Sequence, residues 1–515
     1  MLTAGLLAGC SAADVGVEAG VAQPATPGAS SSTPSDSDAS APGPVGEPGP
    51  DGAPRPYDPG PIAWEEFDDG IDRAQVVVPV DYAEPEGATI SLNVMRFRAL
   101  DPNDRIGSLL VNPGGPGAAG TDLARFAAYQ FDRPLLEHFD IVGWDPRGAE
   151  ASEPAIDCID DADYDRLYGE IDSTPDTAAE RTALIEAART FAEGCAANSQ
   201  GILEFVGTNN SARDIDSIRR ALGEDQISFF GFSYGSELGA AWATLYPDTV
   251  RAIVIDGASD PGADQLEASL QQTAGFEQSI VAFLDQCADE GCQFAGNDDP
   301  DTEFLELMER LDESPVPSEP GRPPVNRAVA TQAVVMAMYD DRYWPALDRS
   351  LAAAADGDGS GLLELYDAYY RRDRDGTYSN LLEAFQAISC ADIAERTTVD
   401  DDDANVELFV EAAPHLVPDD SVGGYFCTFF PPARDPRFDI TGAGAGPIAV
   451  IGTSGDPATP FESTVAMAAA LEDGRLVEVA GNRHLAYPSG NGCVLDLVNR
   501  YLVDLEAPDD GTVCD

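Results

Sequence analysis

An apolar run at residues 227–230 leads directly into Gly231-Phe232-Ser233-Tyr234-Gly235, and a helical pattern follows at 237–245. Strand, sharp turn and helix in that order leave few folds open, because the turn must set one serine above the end of a buried strand. Side chains at the two glycine positions would collide with the backbone folded back in such a turn. The serine then stands at a helix N-terminus, where backbone N–H groups and the helix dipole face developing negative charge. Flanking sequence agrees with this placement. Apolar or alternating runs bounded by Gly, Pro and Asp predict strands at 75–80, 89–97, 108–112, 139–144, 227–232, 252–256, 448–452 and 476–480, the later ones short and buried. Helical spacing lies between them, as at 178–197 and 211–222. Such alternation predicts an α/β fold with a mostly parallel eight-stranded sheet, helices on both faces and right-handed crossovers. From about 261 to 445 the rhythm gives way to mostly helical patterns, including 304–311 and 381–388. An inserted helical cap is predicted there, dividing the core into 61–260 and 446–515. There is no internal repeat.

The N-terminal stretch belongs to a different class. Leu7-Ala8-Gly9-Cys10 closes a short apolar stretch and is similar to the lipobox of bacterial lipoproteins, in which the cysteine is lipidated after signal cleavage. No basic region precedes it, so residues 1–9 read as the remnant of a truncated signal. Residues 10–60 are rich in Pro, Ser, Gly, Ala and Asp with almost no large apolar side chain. They cannot bury enough surface to fold and are expected to be a flexible tether holding the domain off a membrane. Peripheral membrane attachment through Cys10 and an exported, cell-envelope or extracellular location follow as expectations. No later run approaches the roughly 18 apolar residues of a spanning helix.

The net charge is −63, with 92 acidic residues against 29 basic ones, and every basic side chain is arginine. Nucleic acid is excluded as a natural partner by that balance. Apart from Cys10, the cysteines are Cys158, Cys195, Cys287, Cys292, Cys390, Cys427, Cys493 and Cys514. An even set in a chain with export signals predicts four disulfides, and sequence neighbours suggest 158 with 195, 287 with 292, 390 with 427 and 493 with 514. No Cys-x-x-Cys or Cys/His cluster has metal-binding spacing, so no metal site and no cofactor are expected. The acidic runs 160–165 and 400–403 lack the Gly and Glu positions of a calcium loop and read as solvated faces.

A nucleophilic serine needs a base, and the chain has only three histidines, His138, His415 and His484. His138 precedes the strand at 139–144, at the wrong end of a parallel sheet for catalysis, and His415 falls in the predicted cap. His484 follows the last apolar strand, where the loop returns to the carboxyl ends of the strands. A carboxylate must orient the imidazole. Asp456, in Thr453-Ser454-Gly455-Asp456-Pro457-Ala458-Thr459-Pro460 just past the strand at 448–452, suits that place, with Asp256 and Asp260 as rivals after the preceding strand. The order Ser, Asp, His along the chain is that of α/β-hydrolases. The oxyanion hole is expected from the backbone N–H of Tyr234 and, in the loop Asn112-Pro113-Gly114-Gly115-Pro116-Gly117, of Gly115. Arg147, in Asp145-Pro146-Arg147-Gly148, is expected to pair with a buried carboxylate and support the loops near the serine.

Taken together, the 112–117 loop, Gly143 to Gly148, Gly231 to Gly239, Asp256 to Pro261 and Gly455 to Pro460 resemble the tripeptidyl aminopeptidases, relatives of the prolyl aminopeptidases. The resemblance runs from about Pro61 to the C-terminus. It implies the α/β-hydrolase fold and an exo-acting serine peptidase that takes peptides with a free N-terminus, using Ser233, Asp456 and His484. Two residues depart from the family pattern: Arg483 replaces the usual Gly before the histidine, and Ser236 the usual Thr after the elbow. Two other readings remain open. One is a carboxylesterase or lipase on the same residues, since fold does not fix substrate. The other is an inactive lipoprotein that binds peptides or envelope components, which Arg483 keeps in play.

Overall fold

A computed structural model describes residues 57–515 except Ser173 and Asp176. The expectations for the signal remnant, Cys10 and all but the last few residues of the tether lie outside the described residues. Ten strands build one open sheet: β1 (Glu65–Asp68), β2 (Ile71–Pro79), β3 (Thr89–Phe97), β4 (Gly107–Asn112), β5 (Phe139–Trp144), β6 (Ile227–Phe232), β7 (Val250–Asp256), β8 (Ile448–Thr453), β9 (Gly474–Val479) and β10 (Thr512–Cys514). Their order is β1-β2-β3-β5-β4-β6-β7-β8-β9-β10. The first three strands join antiparallel and pass antiparallel onto β5, and every pairing from β5 through β10 is parallel.

The eight predicted strands are β2 to β9, and the structure adds a short strand at each edge. Four exposed residues, Glu-Glu-Phe-Asp, make up β1, so no alternation marks it in the sequence. Three residues make up β10, held to the helix Gly492–Asp504 by the Cys493–Cys514 disulfide. Side chains along the central strands alternate between two cores, as the two-residue period of a strand requires. Leu110 and Phe229 face a core shared with the helices Ala178–Asn198, Thr208–Leu222 and Tyr234–Leu245. Leu109, Val111 and Phe230 face the other, shared with Arg133–His138 and Gly492–Asp504. Burial on both faces explains why these strands read as unbroken apolar runs.

Between β7 and β8 the chain is helical and builds a third core of its own from Gln265–Glu290, Pro300–Glu313, Arg327–Met338, Trp344–Ala355 and Ser360–Tyr370. Boundaries in space cross those in sequence. Tyr164, from the β5–β6 connection, joins this third core, while Ala384, Ile388 and Phe430, from the insertion, pack into the first sheet core. Four disulfides, Cys158–Cys195, Cys287–Cys292, Cys390–Cys427 and Cys493–Cys514, join sequence neighbours. The two acidic runs sit at helix starts. Asp160 caps the helix Asp161–Gly169, and Thr398 with Asp401 forms a capping box on Val399–Ala404, so their charges oppose the positive end of each helix dipole.

Two of the three histidines have structural places. His138 ends a short helix at the N-terminal end of β5, and its Nδ1 lies 3.0 Å from the Asp104 carbonyl oxygen. His415 is buried in the insertion, with Nδ1 2.5 Å from Glu277 Oε1 and Nε2 2.9 Å from Asp301 Oδ1. The hydrogen bond to Glu277 raises its pKa above the ordinary value, against desolvation. A raised folded pKa makes this stabilisation complete below about pH 6.5 and loses it as pH climbs through the folded value. His415→Gln is therefore expected to lower unfolding free energy by about 2 kcal/mol at pH 6, where two charge-assisted hydrogen bonds disappear. Urea melts at pH 6 and pH 9 check this, the difference from wild type shrinking at the higher pH.

Candidate active site

Ser233 joins β6 to the helix Tyr234–Leu245 with φ 57° and ψ −126°, backbone angles that a residue with a side chain rarely holds. Packing enforces the turn. A Cβ on Gly231 would lie 2.2 Å from the Gly235 carbonyl oxygen, and one on Gly235 would lie 2.7 Å from that of Asn112. The strained serine is anchored by its own N–H, which donates to the Asp256 carbonyl at 2.8 Å. Its Oγ is buried and without a hydrogen-bond partner among the described residues.

His484 lies in the loop after β9, 2% exposed. Its Nδ1 is 2.8 Å from Asp456 Oδ1 and 3.0 Å from Oδ2, and its Nε2, like Ser233 Oγ, is buried and unpartnered. Asp456 stands just beyond β8 and is fixed by three donors: the N–H groups of Ala458 and Thr459 at 2.9 and 2.8 Å, and the Thr459 hydroxyl at 3.0 Å. Burial pushes its carboxyl above the ordinary pKa, while His484 pulls the other way. The two rival aspartates are elsewhere. Asp256 accepts the N–H groups of Ala486 and Tyr487 at 3.1 and 2.8 Å, and desolvation raises its pKa to about 7. It braces the backbone after His484 rather than the imidazole. Asp260 accepts the Gly262 N–H at 2.8 Å and Gln271 Nε2 at 3.3 Å. The corner at the end of β7 touches both halves of the site: Asp256 O holds Ser233, and a Cβ on Gly257 would come within 3.2 Å of His484 Cε1.

The 112–117 loop lies over the elbow. A Cβ on Gly114 would meet Ser233 Cβ at 2.9 Å and the Tyr234 nitrogen at 3.0 Å. Asn112 Oδ1 accepts the Gly114 N–H at 2.9 Å. Among the described residues the Gly115 N–H donates to no other group. Tyr234 N–H, first in its helix, has no intrahelical acceptor.

Residues 107–288 match a family model described as "alpha/beta hydrolase fold", and residues 420–514 match one described as "TAP-like protein". The tripeptidyl aminopeptidase of Streptomyces lividans is 30% identical over 446 residues, spanning 83% of this chain and 80% of that one. Serine protease Hip1 of Mycobacterium tuberculosis is 36% identical over 466 residues, spanning 85% and 86%. The chain belongs to the tripeptidyl aminopeptidase-like serine peptidases of the α/β-hydrolase fold. A carboxylesterase B of Mycobacterium tuberculosis is also 36% identical, over 450 residues and 86% of each chain.

In this TAP-like peptidase a cavity of about 190 Å3 adjoins the elbow, and Gly115, Tyr234 and Thr459 are on its wall. Helix residues Glu237 and Asp392 and the loop residue Asp260 face it too, with one cation among the described residues, Arg437. Arg437 Nη1 donates to Glu237 Oε1 at 2.8 Å. Asp392 accepts the N–H and hydroxyl of Thr208 at 2.7 and 2.6 Å, and its burial, with Glu237 adding repulsion, raises its pKa to about 7. Asp260 has no cation partner among the described residues, so the cavity carries excess negative charge.

Several supporting residues escape a reading of the sequence. Thr459 lies in the Gly455–Pro460 stretch, yet nothing marks its hydroxyl as a ligand of Asp456. Arg483, the departure from the family pattern, turns away from the imidazole: its Nη2 donates to Asp341 at 2.9 and 3.2 Å, and the His484 N–H donates to the Tyr339 carbonyl at 2.9 Å. The substitution thus pins the histidine loop to the insertion, and Tyr339 sets its ring edgewise to His484 at 5.6 Å. Arg147 pairs bidentately with Asp214 of the Thr208–Leu222 helix at 2.7 and 2.6 Å, both residues fully buried, and also donates to the carbonyls of Pro79, Val80 and Phe205. It clamps the β2 end and the β5 loop to that helix and has no contact with the serine in these bonds.

Proposed function

We propose that the protein is a serine exopeptidase that releases short peptides from the free N-terminus of a peptide substrate through an acyl-enzyme on Ser233. In this reading His484 Nε2 takes the Ser233 proton as Oγ attacks the scissile carbonyl. Asp456 holds Nδ1–H and stabilises the imidazolium. The N–H groups of Tyr234 and Gly115 hold the oxyanion, each expected to contribute roughly 3 kcal/mol to the transition state. The imidazolium protonates the leaving amine, and water, activated by the same histidine, hydrolyses the ester. No cofactor enters any step.

The observation that carries the reading is the neighbourhood of Ser233: a partnerless buried hydroxyl, a partnerless Nε2 on an imidazole held by Asp456, and an adjoining cavity with uncompensated negative charge. A substrate ammonium group suits that charge, and Asp260 is the carboxylate free to receive it. Asp260→Asn is expected to raise KM about tenfold or more for free-amine substrates, with kcat for an N-blocked ester unchanged. An equal effect on both substrates would remove Asp260 from amine recognition.

The proposal as a whole is tested by mass spectrometry of a ten-residue peptide with a free or an acetylated N-terminus. Short fragments should leave the free peptide stepwise from its N-terminus and none should leave the acetylated one. Internal cleavage of both would reject exopeptidase action. Ester hydrolysis is the second reading, favoured by the similarity to the relative named carboxylesterase B. Turnover of p-nitrophenyl esters without cleavage of any peptide would establish it instead. We further propose that a lipidated Cys10 tethers the enzyme to the outer face of the membrane; loss of membrane fractionation in Cys10→Ser is the expected outcome.

A further inference from the structure

In a chain with 92 acidic residues and 29 arginines, buried arginines find carboxylates readily. Arg147 meets Asp214, and Arg322 meets Asp367. Arg327 is the exception. It is 9% exposed, makes no ion pair or hydrogen bond among the described residues, and its Nε is sealed from solvent with no partner. It is also the first residue of the twelve-residue helix Arg327–Met338, whose N-cap Asn326 accepts the Val329 N–H at 3.0 Å. The positive end of that helix dipole therefore adds to the guanidinium charge instead of offsetting it. Burial lowers the Arg327 pKa, with Asp312, Asp420 and Glu309 opposing through space. A guanidinium nevertheless stays charged throughout the physiological range.

Arg327 lines a second cavity, of about 120 Å3. Its walls include Phe409, Leu416 and Val417, with the polar side chains of Thr331 and Gln332, and among the described residues no carboxylate lines it. In a protein this acidic, a cavity whose described lining holds one cation, no anion and a large apolar wall has an unusual composition. Asp312, Asp420 and Glu309 act on Arg327 only through space, whereas a buried charge normally acquires a counter-charge in direct contact, because desolvation penalises it heavily. A polar group left buried and unsatisfied in a folded protein points to a missing partner.

We infer that this cavity is a binding site for a small organic monoanion, a carboxylate on Arg327 with an apolar body against Phe409, Leu416 and Val417. The carboxylate accepts from the guanidinium, whose planar fork matches two carboxylate oxygens. The apolar body replaces water against the wall. Two sources carry this chemistry: a short fatty acid, or an N-acylated apolar amino acid equivalent to a peptide C-terminus. The inference is independent of the chemistry at Ser233.

Isothermal titration calorimetry of the full chain with hexanoate, hexanamide and N-acetylleucine tests it. Saturable one-to-one binding of hexanoate is expected if the source is a fatty acid, and of N-acetylleucine if it is a peptide terminus. Neutral hexanamide should bind at least tenfold more weakly than hexanoate in the first case. Arg327→Met should abolish binding of either anion while hydrolytic turnover at Ser233 stays at the wild-type rate. Without ligand, Arg327→Met should melt close to the wild-type temperature, since among the described residues no ion pair or hydrogen bond of the guanidinium is lost. No saturable binding of either anion to wild type, or equal binding to Arg327→Met, would overturn the inference. So would a marked drop in the melting temperature of Arg327→Met, which would make the arginine a structural element.

Discussion

Ser233→Ala is expected to lower kcat/KM by about five to six orders of magnitude, the scale on which removal of a serine nucleophile acts when oxyanion donors and substrate binding are left in place. Folding should be spared. The Ser233 hydroxyl is buried without a hydrogen-bond partner among the described residues, so its loss strands no donor or acceptor there. Removing an unsatisfied buried hydroxyl is neutral or stabilising. The melting temperature of Ser233→Ala should therefore equal or exceed that of wild type. That pairing of lost activity with kept stability separates a functional serine from a structural one, and it matches the general expectation that reactive sites are built at some cost in stability. Calorimetry beside steady-state kinetics checks both halves.

Asp456→Asn should lower kcat by about 10^4-fold with little change in KM. An amide cannot accept the Nδ1–H from both oxygens, stabilises the wrong imidazole tautomer and does not offset the imidazolium charge. Asp256→Asn provides the contrast. Its carboxylate is about as close to the histidine loop, but it accepts from the Ala486 and Tyr487 N–H groups and not from the ring. With a pKa of about 7, it is partly neutral at pH 7 already. Its replacement should change kcat by less than about tenfold, far below the effect at Asp456. Comparable losses in the two variants would contradict the assignment of Asp456 as the orienting carboxylate.

Much of the frame is legible in the sequence. The eight strands from β2 to β9 announce themselves because both faces of the sheet are covered, so their residues are apolar without a break. Only local pairing and a disulfide hold β1 and β10, and neither leaves a periodic signal. Ser233 stands out as a candidate nucleophile because the elbow demands glycine on both sides. His484 stands out as the candidate base because the two competing histidines fall in unsuitable elements. The choice among Asp456, Asp256 and Asp260 needed geometry, since all three follow strand ends that converge on one edge. What the sequence could not disclose are contacts made across the insertion. Arg483 with Asp341 joins residues 142 apart, and Tyr339 reaches His484 from just past the end of the helix Arg327–Met338, whose own pattern reports only its packing. Boundaries suffered likewise: residues 384–430 read as insertion, yet several side chains there complete the sheet core.

Hydrolysis at Ser233 of peptides that present a free N-terminus is best checked with a matched pair of substrates. These are a tripeptide p-nitroanilide with a free amine and its N-acetylated copy, each offered to wild type and to Ser233→Ala. Wild type should show a kcat/KM at least about 100-fold higher on the free amine, roughly the 2.7 kcal/mol that one charge-assisted contact supplies. Ser233→Ala should show no measurable turnover of either substrate. Equal cleavage of both substrates by wild type would contradict recognition of the amine, and undiminished activity in Ser233→Ala would contradict the mechanism.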